Sequence, residues 1–395
     1  MTKLVPLPRS NYFLALVAGL TISNVYFSQP VLPMVAESTG VSTAAIGYLP
    51  ALTQFGYACG LVAFLPLADI VELRRLVAIM LSVVALMALA QGLAPTFPLL
   101  LIAGFFLGLV CVVPQLLTAY AAILAPKGLE GRSVGLVLSG ILSGVLASKI
   151  IAGFLATALG WRAIYFLSAL AMLLLAVLVR TKLPANRPAA TRSYAALMRS
   201  TLALFLNEPA LRRYGLNGAL SFGAFMVFWS NYAVHLSEAF SYGSHIAGLF
   251  GFAGIAGILA APLAGRLIDR GDFNAVCIAS GVIMATAYLL ILLAGQSIVL
   301  LVAGVVLLDA GMALNHTANQ SSAFALQPSS RGRINAVYMS CYFVGGAAGT
   351  ALGSVALALA GWPAVCAVGM AVAAAIPVIQ LIAPIQAVPL PLKEI

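Results

Sequence analysis

Apolar residues in this chain run in long, nearly unbroken stretches, with polar and charged residues confined to short interruptions. A segment crossing hydrocarbon must satisfy its own backbone N–H and C=O groups and needs about 20 apolar residues to do so as a helix. Twelve stretches meet that requirement, at residues 10–36, 43–66, 75–93, 97–124, 132–157, 161–180, 210–237, 243–268, 274–294, 297–325, 332–359 and 362–384. They are numbered here as spans 1 to 12. The breaks fall at Glu72 to Arg75, Pro95, Lys127 to Arg132, Gly160-Trp161, Gly271-Asp272 and Arg331 to Arg333. Connections as tight as Pro95-Thr96 and Gly160-Trp161 predict helical hairpins with antiparallel neighbours. The first run is too long for a secretory signal and lacks a small-residue cleavage site.

Composition agrees with that pattern. Of 395 residues, 63% are hydrophobic and 8% charged, and the mean hydropathy is +1.08. A soluble domain carries roughly a quarter charged residues, so lipid is this chain's solvent, and disorder, coiled coil, collagen and disulfide scaffolds are excluded. The expected fold is an all-α membrane protein. With the N-terminus on the cytoplasmic side, 18 of the 20 Lys and Arg residues fall on that face, leaving Arg162 outside and Lys149 inside a span. The net charge of +10 is then mostly sidedness and attraction to lipid head groups, and no nucleic-acid partner is expected. The five cysteines, Cys59, Cys111, Cys277, Cys341 and Cys366, are isolated in apolar segments without metal-ligand spacing and read as packing residues.

The chain repeats itself. Gly131-Arg132 recurs as Gly332-Arg333, and Gly160-Trp161-Arg162-Ala163 recurs as Gly361-Trp362-Pro363-Ala364, both 201 positions on. Asp69 and Asp269 are 200 apart, and Tyr26-Phe27-Ser28-Gln29 precedes Phe228-Trp229-Ser230-Asn231 by 202. A steady offset at four places predicts two parallel six-helix halves, residues 1–180 and 210–395. Residues 181–209 join them as a cytoplasmic linker. Its Ser193 to Leu206 stretch reads either as an amphipathic helix at the membrane surface or as plain linker.

The loop after span 2, Pro66-Leu67-Ala68-Asp69-Ile70-Val71-Glu72-Leu73-Arg74-Arg75, resembles the G-x-L-a-D-R-x-G-R-R signature of the major facilitator superfamily. A second copy, Gly265-Arg266-Leu267-Ile268-Asp269-Arg270, follows span 8. The first copy has Leu65 and Glu72 for glycines and Ile70 for an arginine. The resemblance extends over essentially the whole chain and is closest to the bacterial twelve-helix drug and sugar efflux branch. It implies alternating access between two six-helix bundles in the bacterial inner membrane, with both termini cytoplasmic. It also implies a proton gradient as the energy source, no cofactor, a small-molecule solute and a monomer. A carboxylate at a helix end gains from the N–H groups of a facing helix N-terminus. Asp69 would thus meet the start of span 11 near Arg331 to Arg333, and Asp269 the start of span 5 near Gly131 to Ser133. The gating set is Asp69, Arg74, Arg75, Arg132, Asp269, Arg270 and Arg333; the competing reading is an ordinary charged loop that marks orientation.

The family's helix 5 efflux motif is partly present. Gly135, Gly144, Ala152 and Gly153 match, while Ser148 stands at a glycine position and Lys149 at the proline. Gly104 occupies the place of the family's span 4 arginine, so proton coupling must use other residues. Charge inside a bilayer is costly and asks for a function. Asp309 lies midway along span 10, with His316 and Gln320 seven and eleven residues on and Asn319 beside them. Lys149 lies in span 5. Either Asp309, His316 and Lys149 exchange protons in a central cavity, or Lys149 and Asp309 form a structural ion pair. The remaining cavity wall is expected from Asn24, Tyr26, Gln29, Gln54, Tyr57, Gln115, Tyr120, Asn217, Phe228, Trp229, Asn231 and Tyr232. Aromatic faces with a few hydrogen-bonding tips suit a small amphiphilic solute.

The expected function is therefore proton-coupled efflux of a small organic compound. A proton-coupled importer or uniporter is the variant that the missing proline keeps open. An intramembrane enzyme or receptor is the remote reading: an HExxH motif and a Walker loop are absent, so ATP-driven transport by this chain alone is excluded.

Overall fold

The computed structural model describes residues 8–126, 129–185, 193–268, 273–327 and 330–382. Twelve crossing helices follow the twelve spans. The first six are α1 (Arg9–Thr39, interrupted by a 3-10 turn at Gln29–Val31), α2 (Tyr48–Asp69), α3 (Leu73–Leu93), α4 (Phe97–Leu124), α5 (Glu130–Leu159) and α6 (Trp161–Lys182). Next come α7 (Pro209–Trp229 and Tyr232–Phe240), α8 (Ser244–Leu249 and Gly254–Ile268 around a 3-10 turn), α9 (Phe273–Leu293) and α10 (Ile298–Leu326). The last two, α11 (331–359) and α12 (362–382), are separated only by non-helical backbone at Ala360 and Gly361. Gly361 at φ 70° repeats the turn at Gly160, φ 82°, between α5 and α6. Both sites need the left-handed region that glycine adopts at no steric cost.

The same three pairings build each half: α1 on α5, α2 on α4 and α3 on α6, then α7 on α11, α8 on α10 and α9 on α12. The closest pairings rest on glycine. Gly19 faces Gly140 and Gly144 across α1 and α5, and Gly223 faces Gly345 and Gly349 across α7 and α11. Lipid tails give no hydrophobic drive for helix association, so helix backbones associate by dispersion and need small residues to approach. Between halves the pattern is also symmetric, with α2 against α11 and α5 against α8.

Five helices depart from the continuous spans read from the sequence. Span 2 is interrupted at Gly47, between a short turn of helix at Thr43–Ile46 and α2. α1 breaks at Phe27–Ser28 ahead of Pro30 and Pro33, and α4 at Cys111–Val112 ahead of Pro114. Proline supplies no N–H and clashes with the preceding turn. α7 breaks at Ser230–Asn231 without a proline, and α8 tightens to a 3-10 turn at Phe250–Ala253. Residues 194–207 form a helix, capped where the Ser193 side chain accepts from Ala196 N at 3.3 Å. Leu197, Thr201 and Leu204 are buried and Leu202 and Leu206 exposed. This linker helix lies at the end of the molecule that carries the basic loops, called the basic end below.

A side chain at Gly349 would drive into the backbone of Gly223, whereas Gly135 has nothing within 4 Å of the place a Cβ would take. Gly349→Leu should therefore destabilise the C-terminal bundle by about 1–3 kcal/mol. Gly135→Ala should be neutral or stabilising by up to about 1 kcal/mol. Thermal unfolding of the detergent-solubilised protein, followed by size-exclusion chromatography, checks both; equal effects would refute the close approach.

Candidate functional site

Two helices bring charge to the middle of the molecule, and a third places an indole between them. α5 presents Lys149, α7 ends its first segment at Trp229, and α10 presents Asp309; Lys149 and Asp309 are each 4% exposed. The Lys149 ammonium stands 2.8 Å from the centroid of the Trp229 ring and 5.9 Å from that of Phe225. On its edge, Trp229 Nε1 donates to Asp309 Oδ2 at 3.2 Å. No direct salt bridge within 4.0 Å joins Lys149 and Asp309 among the described residues. An indole serves both charges because its face attracts a cation while its N–H donates to an anion.

Trp229 is held in place by Phe225, Phe228 and Tyr232, with ring centroids 5.9, 5.5 and 4.9 Å away. The 3-10 turn of α8 supplies space: Gly251 lies against Lys149 Cβ, and Gly254 beside Asp309 Oδ1. Lys149 belongs to one half, Trp229 and Asp309 to the other, so this contact crosses the seam.

Other expected residues line the same seam. Gln29 Nε2 lies 3.9 Å from Met226 Sδ. Gln54 Nε2 donates to Thr350 Oγ1 at 3.2 Å, and that hydroxyl shares a 2.8 Å hydrogen bond with Ser230. Tyr57 packs on Phe343 with centroids 4.2 Å apart. Toward the basic end, Asn335 Nδ2 donates to Gln115 Oε1 at 3.1 Å, and Gln320 Nε2 to Asn335 Oδ1 at 3.2 Å. This amide chain runs from α4 through α11 to α10. Ser340 Oγ adds a bond to Ala58 O at 3.3 Å. His316 Nδ1 lies 3.1 Å from Tyr338 Oη, and its ring is 4.7 Å from Tyr342. Tyr26 and Phe228 are buried, Phe228 against Trp362 as well as Trp229.

Several expected wall residues are engaged within their own half. Asn24 accepts from Ser168 Oγ at 2.5 Å and donates to Leu20 and Thr21 carbonyls. Asn231 donates to Val227 O and accepts from Ser354. Asn319 donates to both oxygens of Asn315. Tyr120 donates to Pro184 O in the linker, and Asn217 is buried with neither amide atom paired. At position 104 a Cβ would come within 3.1 Å of the side-chain tips of Leu49 and Thr53 on α2 and Gln91 on α3, so a larger residue there would have to displace them.

Among the gating residues, Asp69, Arg75 and Arg132 are exposed and Arg333 half-buried, its guanidinium donating to Ser330 Oγ at 2.7 Å. Asp69 forms no salt bridge among the described residues, although the turn that carries it packs on α11. Arg74 pairs with Glu72 at 2.8 Å and donates to Leu183 O at 3.3 Å. Asp269 and Arg270 lie outside the described residues. At the opposite end, a cavity of about 450 Å³ opens between the halves, bordered by Pro30, Glu37, Thr157, Ser237, Tyr242 and His245.

The α11 residues Asn335, Tyr338, Tyr342, Phe343 and Thr350 were absent from the expected site. Tyr338 and Tyr342, four apart on one helix face, were the readable sign; Phe222, stacked 4.0 Å from Tyr342, was not marked by any such spacing.

The family model described as Major Facilitator Superfamily matches residues 14–350 and, in a second alignment, 214–391. The chain belongs to that superfamily. It is a multi-pass membrane transporter rather than an enzyme. Curated relatives of the superfamily include an uncharacterized transporter, YgaY, of Escherichia coli strain K12, 32% identical over 93% of both chains. A probable transporter of Streptomyces coelicolor is 35% identical over 90% of this chain and 83% of its own. A chloramphenicol resistance protein of Streptomyces lividans is 28% identical over 75% and 76%. Among solved structures, a POT family transporter in complex with a thioalcohol-conjugated peptide superposes with TM-score 0.75 at 14% identity, covering 95% of this chain and 96% of that one. The nucleoside transporter NupG superposes at 0.73 and 14% identity, covering 94% and 99%.

The amide chain carries a testable consequence. A neutral hydrogen bond contributes roughly 0.5–1.5 kcal/mol. Asn335→Leu removes two and should raise amide hydrogen exchange in the basic-end portions of α4 and α11 about two- to tenfold, read by mass spectrometry. Unchanged exchange there would mean that the chain does not hold the halves together.

Proposed function

We propose that this protein exports a small organic solute in exchange for protons, with its basic end and both termini in the cytoplasm of a bacterial cell. The observation that carries the reading is the Lys149–Trp229–Asp309 contact, a balanced pair of buried charges spanning the seam that alternating access must open. Asp309 can hold a proton or a charged part of the solute, but not both, and this competition couples the two movements. A proton entering the cell through about 100 mV releases roughly 2.3 kcal/mol. Lys149 offsets the carboxylate when the site is empty, and His316, below it against Tyr338 and Tyr342, extends the polar route toward the basic end. Asp69 and Asp269 serve as latches at that end in a state where they meet the facing helix starts. The similarity to a chloramphenicol resistance protein favours efflux.

Proton-coupled import or uniport is the second reading. It draws on α5, which runs unbroken from Glu130 to Leu159 with Lys149 where the efflux motif has proline.

Proteoliposomes loaded with a pH-sensitive dye test the coupling. A panel of neutral (chloramphenicol among them), anionic, cationic and zwitterionic solutes is applied under an imposed pH gradient. At least one solute should elicit proton flux opposite in direction to its own. Asp309→Asn should reduce that flux at least tenfold while leaving solute–solute exchange measurable. Unaltered gradient-driven flux in Asp309→Asn would remove the carboxylate from coupling, and proton and solute moving together would favour import.

A further inference from the structure

The arrangement at the seam also bears on what the solute is, and here the argument rests on the transport reading above. Lys149 and Asp309 are more than nine-tenths buried, yet each is only partly satisfied. The ammonium lies on the Trp229 face and has no hydrogen-bond acceptor among the described residues. Asp309 uses one oxygen on Trp229 Nε1, and its other oxygen faces Gly254 without a donor among the described residues. Buried charges of this kind are strongly unfavourable until hydrogen-bonded partners reach them.

A solute with a single charge would satisfy one group and leave the other unpaired, now beside a like charge. A neutral solute would satisfy neither ion well. We infer that the solute is a compact zwitterion with an apolar or aromatic body, its anionic group on Lys149 and its ammonium on Asp309. Such a molecule leaves the net charge of the site at zero. One protein charge lies on the face of the Trp229 indole and the other at its N–H edge, and charge-assisted hydrogen bonds of about 2.8 Å at each end let adjacent charges on a small molecule bridge them. For the body, Phe225 offers an aromatic ring beside Trp229, 5.9 Å from the Lys149 ammonium and packed on Phe222, and a solute would take its place against that cluster.

Charge-matched compounds with one carbon skeleton test the assignment. The first series is L-phenylalanine, 2-phenylethylamine and 3-phenylpropionate. The second is L-leucine, 3-methylbutylamine and 4-methylpentanoate. Binding to the purified full-length protein is measured by thermal shift and by quenching of tryptophan fluorescence. In at least one series the amino acid should bind ten times or more tighter than both singly charged analogues. Lys149→Gln should abolish the preference over the amine, and Asp309→Asn the preference over the carboxylate. If either variant fails to fold, the wild-type series still decides the matter. Equal response to the three charge types in both series, or no response in either, overturns the inference. The two readings fail separately. Proton flux elicited only by singly charged or neutral solutes would leave the antiporter standing without this solute class. Zwitterion preference without any coupled proton flux would sink the antiporter instead.

Discussion

A lysine and an aspartate kept apart by one indole set the terms for the rest of this molecule. Either charge alone at the centre of a bilayer costs about 2.5–3.5 kcal/mol on insertion scales. In direct contact they would form a tight pair in a medium of low dielectric, and that pair would weld the halves together. With Trp229 between them, the part that crosses the seam is a cation–π contact worth about 0.5–2 kcal/mol. The stronger directional bond, from Trp229 Nε1 to Asp309, stays within one half. The charges are stabilised, and the cleft can still part.

The same division appears throughout the packing. Inside each half, backbone meets backbone at glycine: Gly19 with Gly140 and Gly144, Gly223 with Gly345 and Gly349. Such contacts cannot slide without collision, so each half moves as a body. Between halves the connections are side-chain hydrogen bonds, Gln54 to Thr350, Asn335 to Gln115 and Ser340 to Ala58. Each is worth roughly 1 kcal/mol net and can re-form with water or solute when the seam opens. Gly153 against Gly248 is the exception, a backbone-close contact across the seam between α5 and α8, and it makes that pair a natural pivot.

How much of this was legible in the chain depends on what kind of information was needed. Span number and the two-fold repeat are properties of apolar length and spacing, whereas the family resemblance rests on the loop after span 2, and the family model agrees with that resemblance. Asp309 and Lys149 stood out because charge within an apolar run is conspicuous wherever it points. Facing is a different matter. Asn24, Asn231 and Asn319 have the right polarity and depth for a cavity wall, but their helices are apolar on nearly every side. No stripe reveals the inward direction, and in the structure these residues bond within their own half. Pro30, Pro33 and Pro114 mark the breaks in α1 and α4, whereas α7 breaks at Ser230–Asn231 with no residue that dictates it. Trp229 was readable as an aromatic wall residue. Its place between two charges was not, because that requires three helices, distant in sequence, to meet at one point.

The basic end shows how an altered signature changes mechanics. In the family's loop after span 2, arginines and an aspartate are arranged to grip the opposite half. Here Glu72 replaces a glycine and takes Arg74 for itself, while Arg74 also reaches Leu183 O at the head of the linker. Tyr120 donates to Pro184 O, and Tyr194 of the linker helix donates to Ala63 O at 3.0 Å. The N-terminal half thus binds the linker where the signature would bind the other half. The linker helix in turn packs on α7 and on the turn that carries Asp69. Among the described residues, side-chain hydrogen bonds that cross the seam toward this end are neutral, Asn335 to Gln115 and Ser340 to Ala58 O. Neutral bonds of this kind respond little to ionic strength and gain little from helix dipoles.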